Sequence, residues 1–227
     1  MRIVTWNCNR ALHRKAAALF ELEPDVAIVQ ECERDFESPE GYHFMWMGEY
    51  HLMGLGVFTR DASVKLEPKA RDSWTYFLPV TMPALDLRLL AVWAFNDRAA
   101  KLGSDRDGSL NSVLDEVGPW LSEGRSLIAG DFNNNLRWDR PRGKDNFGPT
   151  VQRLRGLGLR SAYHEFTREG FDVETKGTHH FRRNADAKYH IDYCFLHQTL
   201  PFSNVQVLDT DLWTKLSDHL PLIVDLR

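Results

Sequence analysis

Polar side chains follow several strand-like runs of the sequence, and their types are those that bind metal ions or move protons. The apolar run 127–129 is followed by Asp131 and Asn133, and the run 26–29 is followed by Glu31. Each of these residues alone is also common in turns or on surfaces. Together they are oxygen donors, which favour Mg²⁺ or Mn²⁺ over zinc because no cysteine–histidine cluster accompanies them.

Three further segments add matching side chains. Asn7 ends the run 3–6, Asp192 lies in "YHIDY", and Asp218 and His219 precede the last run in "SDHLP". Polar residues at one edge of an α/β scaffold commonly form its binding site. One histidine beside carboxylates can transfer a proton or bind a phosphoryl oxygen. We therefore predict metal-assisted phosphoester hydrolysis with Mg²⁺ or Mn²⁺ as the cofactor.

The elements that must position these residues are mostly short strands. Three amphipathic segments predict helices, at 12–22, 104–121 and 151–157. Ten apolar or alternating runs predict strands, at 3–6, 26–29, 42–47, 54–59, 74–80, 85–93, 127–129, 191–196, 205–208 and 220–226. This order favours two mixed sheets packed together with helices outside. Since no repeat and no linker rich in Pro, Gly or Ser interrupts it, we predict one domain over residues 1–227.

The composition limits the partners and the compartment. The chain of 227 residues has a net charge of −4 and a pI near 6.1, so any nucleic-acid contact must come from a local basic patch. Three cysteines without CxxC spacing predict reduced thiols and a cytoplasmic protein. The N-terminus lacks the pattern of a signal peptide, and no apolar run is long enough to predict a membrane span. We expect a monomer.

Five motifs also resemble a known group of enzymes. In chain order, "TWNCN", "VQE", "GDFN", "HIDY" and "SDHLP" resemble motifs of the endonuclease/exonuclease/phosphatase superfamily, which includes pancreatic-type deoxyribonucleases and AP endonucleases. They run from residue 5 to residue 221, so the resemblance covers nearly the whole chain. It implies a four-layer α/β sandwich, with two mixed β-sheets packed face to face and helices outside. It also implies Mg²⁺-dependent cleavage of a phosphodiester or phosphomonoester.

The resemblance implies roles for the catalytic candidates. Asp131 resembles the residue that orients or deprotonates the attacking water, and Asn133 resembles one that holds phosphate or the nucleophile. His219 would bind the scissile phosphoryl oxygen or act as an acid–base group. Asp192 would form a hydrogen bond with it.

The same resemblance implies the metal ligands, and the sequence departs from the family pattern at one position. Glu31 resembles the principal metal ligand, supported by Asn7, and Asp218 resembles a further metal or water ligand. The segment "WAFN" resembles "YVPN" of AP endonucleases, with Trp93 in place of tyrosine. Tryptophan has no phenolic hydroxyl to donate, so core packing is the alternative to substrate binding for Trp93. Asn96 is still expected to contact a phosphate.

Two polar stretches combine cations with aromatic rings, as nucleic-acid binding requires. "NNNLRWDRPRGKDN" contains Trp138, Arg140 and Arg142, and "HHFRRNADAK" contains Arg182 and Arg183. Such sets suit backbone phosphates and a stacked base. The alternative for each stretch is a solvated surface loop.

We therefore favour a nuclease that hydrolyses DNA, with single-stranded, nicked or damaged DNA as possible forms of the substrate. The alternative is a phosphatase or phosphodiesterase for a small substrate such as an inositol phosphate, a nucleotide or a phospholipid headgroup. The absence of a "PAWxDR" segment argues against the inositol 5-phosphatases. A non-enzymatic binding module is disfavoured because the full set of candidate catalytic residues is present.

Overall fold

Two six-stranded sheets form the centre of the structure, a computed structural model that describes residues 1–67, 74–94, 109–184 and 186–227. The first sheet consists, from edge to edge, of β13 (Phe202–Val207), β14 (Leu222–Leu226), β1 (Arg2–Asn7), β2 (Val26–Cys32), β4 (Met53–Thr59) and β3 (His43–Tyr50). The second consists of β5 (Lys65–Leu66), β6 (Phe77–Met82), β7 (Leu87–Trp93), β8 (Ser126–Asp131), β12 (Asp192–His197) and β9 (Leu159–Ser161). A separate ribbon pairs β10 (His179–His180) with β11 (Lys188–Tyr189).

The helices of the described residues are short. They are α1 (Ala16–Phe20), α2 (Leu110–Ser122), α3 (Phe147–Gly156), α4 (Ala162–Thr167) and α5 (Asp211–Leu216), with 3₁₀ turns at Leu12–Arg14, Pro83–Leu85, Leu136–Trp138 and Phe181–Arg183. None of the helices within the described ranges is long and apolar enough to cross a membrane.

The alternation of side chains along the strands decides what each face of the second sheet contacts. On β8, Leu127 and Ala129 pack into the core between the sheets, whereas Ile128 packs with α2 and α3. Successive side chains of a strand point to opposite faces, so Asp131 must share the face of Leu127 and Ala129. The end of β8 therefore directs a carboxylate into the space between the two sheets.

Helices cover the outer face of the first sheet in the same way. The Trp6 ring of β1 packs edge-on against Trp213 of α5, with ring centroids 5.0 Å apart. Phe58 of β4 packs against Phe20 of α1 at 5.4 Å. With α2 and α3 on the second sheet, this gives four layers, and the predicted fold class is confirmed.

The predicted elements differ from the structure in a few places. Each of the ten predicted strands overlaps an observed strand. The single helix predicted over 12–22 is wrong, because Lys15 departs from helical geometry with φ −127° and ψ −11° and separates a 3₁₀ turn from α1. Residues 104–108 of the second predicted helix lie outside the described residues. Neither α4 nor α5 was predicted, and the strand predicted over 191–196 begins at Asp192, after a break at His190 and Ile191.

Candidate active site

Two buried carboxylates lie side by side on neighbouring strands. Asp131, the last residue of β8, pairs directly with Asp192, the first residue of β12, and both are fully buried. Because β12 runs antiparallel to β8, the end of one strand meets the start of the other. The pairing register therefore brings together two acidic residues that are 61 positions apart in the sequence.

Gly130 allows β8 to approach β7 at this point. It has φ +148°, and a Cβ atom there would lie 1.8 Å from the carbonyl oxygen of Val92. A residue other than glycine would have to push the two strands apart. The glycine of "GDFN" thus fixes the position from which Asp131 projects.

Asn133 supports Asp131 from the following turn. Its backbone N–H donates to Asp131 Oδ1 at 2.8 Å, which forms an Asx turn. Its side-chain Nδ2 donates to Asp131 Oδ2 at 3.0 Å and to the carbonyl oxygen of Ala94 at 2.9 Å. Asn133 has φ +47°, a conformation that asparagine tolerates better than most residues. The turn therefore holds the orientation of the Asp131 carboxylate.

The first sheet contributes Asn7 and Glu31 to the same place. Asn7 Nδ2 lies 3.2 Å from Glu31 Oε1 and 3.1 Å from Asp131 Oδ2, so one amide connects the two sheets. Glu31 lies at a bulge of β2, where the pairing with β4 shifts between Gln30 and Cys32. Its φ of +59° is a left-handed value that costs a non-glycine residue on the order of 1–3 kcal/mol. Bulges of this kind commonly redirect a side chain next to a site.

His219 completes the cluster and is held on several sides. Its Nδ1 lies 2.9 Å from Asp192 Oδ2, and its Nε2 lies 4.0 Å from Asp131 Oδ2. Its backbone N–H donates to Ser217 Oγ at 3.0 Å, and its carbonyl oxygen accepts from Trp6 Nε1 at 3.0 Å. These bonds fix both the backbone and the ring of His219 between two carboxylates.

Burial and mutual charge shift the pKa values of this cluster. Burial raises the pKa of Asp131, and the neighbouring Asp192 carboxylate raises it further. Burial alone would lower the pKa of His219, but the charges of Asp192 and Asp131 outweigh it and raise that pKa. The imidazolium form is therefore favoured, so Nδ1–H donates to Asp192 and Nε2–H remains on the side of Asp131.

Comparison with known proteins gives structural matches. No protein-family model matches the chain, and no curated protein matches it. A 3′-5′ exonuclease, NExo, from Neisseria meningitidis superposes with a TM-score of 0.72 at 19% identity, over 100% of this chain and 99% of that one. An AP endonuclease from Archaeoglobus fulgidus superposes with a TM-score of 0.70 at 15% identity, over 100% of this chain and 99% of that one. An endonuclease/exonuclease/phosphatase from Beutenbergia cavernae superposes with a TM-score of 0.71 at 20% identity, over 100% of this chain and 71% of that one.

The chain has the endonuclease/exonuclease/phosphatase fold. A second structure of NExo, described as a 3′ phosphatase from Neisseria bound to a product DNA hairpin, matches with a TM-score of 0.71 at 19% identity, over 100% of this chain and 99% of that one. At these identities the matches establish the fold alone. The roles of individual residues must therefore be argued from the site itself.

Asp218 lies beside the cluster and has its own partners. Asn9 Nδ2 donates to Asp218 Oδ1 at 2.8 Å, and His179 Nε2 lies 3.8 Å from Asp218 Oδ2. Burial disfavours the charged form of Asp218, but the interaction with His179 and the charge of His219 outweigh it and hold the pKa of Asp218 below its usual range.

Sequence reasoning missed four residues around the site. Asn9 holds Asp218, Ser217 bonds the carbonyl oxygen of Asn7 at 2.8 Å, and the His179 ring lies 4.4 Å from that of His219. Lys15 donates through Nζ to the carbonyl oxygens of Cys8 and Asn9. The second asparagine of "TWNCN" and the serine of "SDHLP" lie inside the quoted motifs. Lys15 lies outside every quoted segment, whereas His179 begins the stretch "HHFRRNADAK", for which the sequence predicts substrate contact. Only the fold reveals that both residues lie beside the cluster.

The donors at this site of the endonuclease/exonuclease/phosphatase fold suit a hard divalent cation. Ligand atoms of Asp131, Asp192 and His219 lie within 4.8 Å of one another. Asp192 Oδ1 is buried and has no hydrogen-bond partner in the described part of the chain. An unpaired buried carboxylate oxygen is costly unless a cation or a donor meets it. The residues present therefore fit Mg²⁺ or Mn²⁺, and ligation by Glu31, Asn7 and Asp218 stays a prediction.

The predicted substrate-binding residues lie in different surroundings. Trp93 is buried at the end of β7, where its ring packs edge-on against Tyr76 at 5.1 Å, and a substrate role for it stays a prediction. Asn96 lies outside the described residues. Arg140 and Arg142 are exposed before α3 and make no hydrogen bond or ion pair with the cluster within the described ranges.

Trp138, Arg182 and Arg183 are exposed on two loops that come together. Trp138 packs against Tyr189 at 5.1 Å, and Phe181, which precedes Arg182 and Arg183, lies 6.5 Å from the same ring. The two basic stretches noted in the sequence are therefore neighbours in space.

Proposed function

We propose that the chain is a divalent-metal-dependent phosphodiesterase that hydrolyses DNA. The observation that carries this proposal is the position of His219, whose ring lies between the carboxylates of Asp192 and Asp131 while Asn7 connects Asp131 to Glu31. A proton donor, a candidate base and candidate oxygen ligands around one small space support this proposal. The similarity to NExo, whose structure contains a product DNA hairpin, supports DNA as the substrate.

In this proposal Asp131 orients and deprotonates the attacking water. Its carboxylate is held by Asn7 and Asn133, and its raised pKa brings it closer to neutral pH, where a general base is most effective. The distance of 4.0 Å from Asp131 Oδ2 to His219 Nε2 is too long for a direct hydrogen bond. Both groups can instead bond to an oxygen atom placed beside them.

His219 acts on the phosphoryl group. Asp192 orients the ring through Nδ1 and stabilises its positive charge, so Nε2–H is available to a phosphoryl oxygen. Glu31, Asn7 and Asp218 would hold the cation. When bound, that cation supplies Lewis-acid stabilisation of the charge on the phosphate.

The direct test compares substrates under one set of conditions. Purified protein is assayed for nicking of supercoiled plasmid and for cleavage of labelled single- and double-stranded oligonucleotides, each with Mg²⁺ and with Mn²⁺. Phosphate release from inositol phosphates, mononucleotides and 3′-phosphorylated oligonucleotides is measured in parallel. The Asp131→Asn variant, purified in the same way, should lose most turnover while remaining folded.

Metal-dependent strand scission that disappears in Asp131→Asn supports the proposal. Phosphate release from small substrates without strand scission would replace it with the small-substrate alternative. Equal activity of the wild type and Asp131→Asn would refute the role given to Asp131.

A further inference from the structure

A row of aromatic rings leads from His219 to the outer loops. The His219 and His179 rings lie 4.4 Å apart, and Phe181 lies 6.2 Å beyond His179. Tyr189 lies 6.5 Å from Phe181, and Trp138 lies 5.1 Å from Tyr189. We call His179, Phe181, Tyr189 and Trp138 the aromatic strip. It connects the site of the proposed chemistry to the surface.

The outer part of the aromatic strip is open to solvent. Phe181 is 48% exposed and Trp138 is 40% exposed, although large aromatic side chains normally bury most of their surface. The planes of Phe181 and Tyr189 are 76° apart, and those of Trp138 and Tyr189 are 55° apart, so the rings do not cover one another's faces. Exposed apolar area grouped in this way indicates a binding surface.

Local structure fixes the strip before any ligand arrives. The ribbon of β10 and β11 pairs His179 directly with Tyr189. Trp138 ends a 3₁₀ turn that is capped by Asn135, whose side-chain oxygen accepts from Arg137 N–H at 2.9 Å. Asn135 is fully buried and also donates to the carbonyl oxygen of His190 at 3.0 Å, which ties this turn to the break between β11 and β12, two residues before Asp192.

Two guanidinium groups lie over the rings of the strip. The Arg137 guanidinium is 5.8 Å from the centre of the Tyr189 ring, and that of Arg182 is 5.2 Å from the centre of the Phe181 ring. Arg183, also exposed, adds a third positive charge to the loop that carries Phe181. Aromatic faces combined with arginine bind nucleobases by stacking and their phosphates by charge.

We propose that the aromatic strip is a stacking surface for unpaired bases of the strand whose phosphate lies at His219. This inference rests on the proposed function and adds that the substrate is single-stranded or locally unpaired DNA. A base inside a duplex has both faces covered by its neighbours, so it cannot offer a face to Trp138 or Phe181. An unpaired strand can place successive bases on the rings while its phosphates meet Arg137 and Arg182.

The test measures binding without turnover. A fluorescent oligothymidylate, the corresponding duplex with oligodeoxyadenylate and an oligonucleotide of abasic sites of equal length are titrated with the protein in EDTA. Trp138→Ala and Phe181→Ala should each weaken binding of the single strand about 5- to 150-fold, which corresponds to about 1–3 kcal/mol per stacked base. Binding of the duplex and of the abasic strand should change less than about twofold, because neither offers a free base to the rings.

Phe166→Ala is the matched control, because Phe166 of α4 is 47% exposed and lies outside the strip. Trp138→Tyr should keep most of the affinity, because it keeps an aromatic face. Equal losses for the single strand and the abasic strand, or losses in Phe166→Ala as large as those in Trp138→Ala, would overturn the stacking surface.

The two proposals fail in distinguishable ways. If the wild type cleaves DNA but Trp138→Ala and Phe181→Ala bind single strands as the wild type does, the stacking surface is refuted and the proposed function remains. Hydrolysis of small phosphoesters without any binding of oligonucleotides removes DNA as the substrate and the stacking surface with it.

Discussion

At the scale of single residues, the cluster concentrates charge where the fold would otherwise place apolar side chains. Asp131 and Asp192 lie on the same strand faces as Leu127, Ala129 and Cys194, whose side chains pack in the core between the sheets. Burying ionisable groups costs free energy unless they are paired, and His219 compensates only part of the charge of two carboxylates. Such an arrangement does not serve the stability of the fold, and it suits the chemistry of the proposed function.

Glu31 gives the first prediction at this scale. Glu31→Gln removes the charge but keeps an oxygen that can accept from Asn7, so the amide link between the sheets should remain. The Mg²⁺ concentration that gives half-maximal cleavage should rise about tenfold or more, since even partners of ligands contribute about 10–100-fold to metal affinity. Glu33→Gln is the control, because its carboxylate instead bonds the backbone N–H groups of Leu12 and His13. An equal rise in both variants would count against ligation by Glu31.

Lys15 gives the second prediction at the scale of single residues, because it positions other residues of the site. Its ammonium group bonds the carbonyl oxygen of Asn9 at 3.1 Å, in a loop where Asn9, Arg10 and Ala11 have φ values of +50°, +65° and +50°. Burial lowers the pKa of Lys15 and Arg183 adds to this, whereas Asp218 and Glu31 oppose it.

Lys15→Met should lower kcat/KM about 10- to 100-fold, because hydrogen bonds from charged groups contribute roughly 1.5–3 kcal/mol and this one holds the loop from which Asn9 reaches Asp218. Lys15→Arg should recover part of the activity. Steady-state kinetics of the three proteins measure the effect. Wild-type kinetics in Lys15→Met would show that the loop keeps its conformation without the hydrogen bonds of Lys15.

At the scale of elements, the sequence indicates the long strands well and the local irregularities poorly. The strand that ends at Asp131 and the one that leads to Glu31 are predictable because apolar runs mark buried strands. The bulge that turns Glu31 depends on the pairing of β2 with β4, which a single segment does not encode. The helices α4 and α5 have six residues each, too few for an amphipathic period to stand out.

Gly130 gives the prediction at the scale of secondary-structure elements, for the strands β7 and β8. Gly130→Ala should lower the free energy of unfolding by about 2–4 kcal/mol, because the new Cβ would meet the carbonyl oxygen of Val92 at 1.8 Å and force β7 from β8. Gly124→Ala is the matched control, since Gly124 also has a positive φ, +134°, but nothing lies within 4 Å of its added Cβ. Urea unfolding of both variants separates the clash from the backbone strain. Equal destabilisation would show that the close approach of the strands is unimportant.

At the scale of the whole molecule, the site exists only where the two sheets meet. Asn7 and Glu31 come from the first sheet, Asp131 and Asp192 from the second, and His219 precedes a strand of the first. The bond from Asn7 to Asp131 spans 124 positions of the sequence, and that from Trp6 to His219 spans 213. The sequence identifies these residues by type and by their resemblance to known motifs, whereas their distances depend on long-range packing.

The response of the whole fold to acid is set in part by His190. The Nδ1–H group of this buried ring donates to the carbonyl oxygen of Lys176 at 2.8 Å. Its Nε2 is buried without a partner in the described residues. Burial lowers the pKa of His190 to about 4. The neutral ring is thus the form that the folded state accommodates.

The pH dependence follows from this shift. The unfolded chain binds the proton near pH 6.5, whereas the folded chain does so only near pH 4, so the unfolded state holds more protons in between. Above pH 6.5 the folded state bears no penalty from His190. As the pH falls from about 6.5 to about 4, this residue alone should lower the free energy of unfolding by roughly 3 kcal/mol.

His190→Asn tests this prediction, because the asparagine amide can still donate to Lys176 but does not titrate. The loss of free energy of unfolding between pH 7.5 and pH 4.5, measured by urea unfolding, should be smaller in the variant than in the wild type by about 2–3 kcal/mol. Lost packing against Tyr163 lowers the stability of the variant equally at both pH values and so cancels in the comparison. His43→Asn, at an exposed position of β3, is the control for the substitution itself. The same acid sensitivity in the wild type and His190→Asn would mean that other groups bind the protons that destabilise the fold.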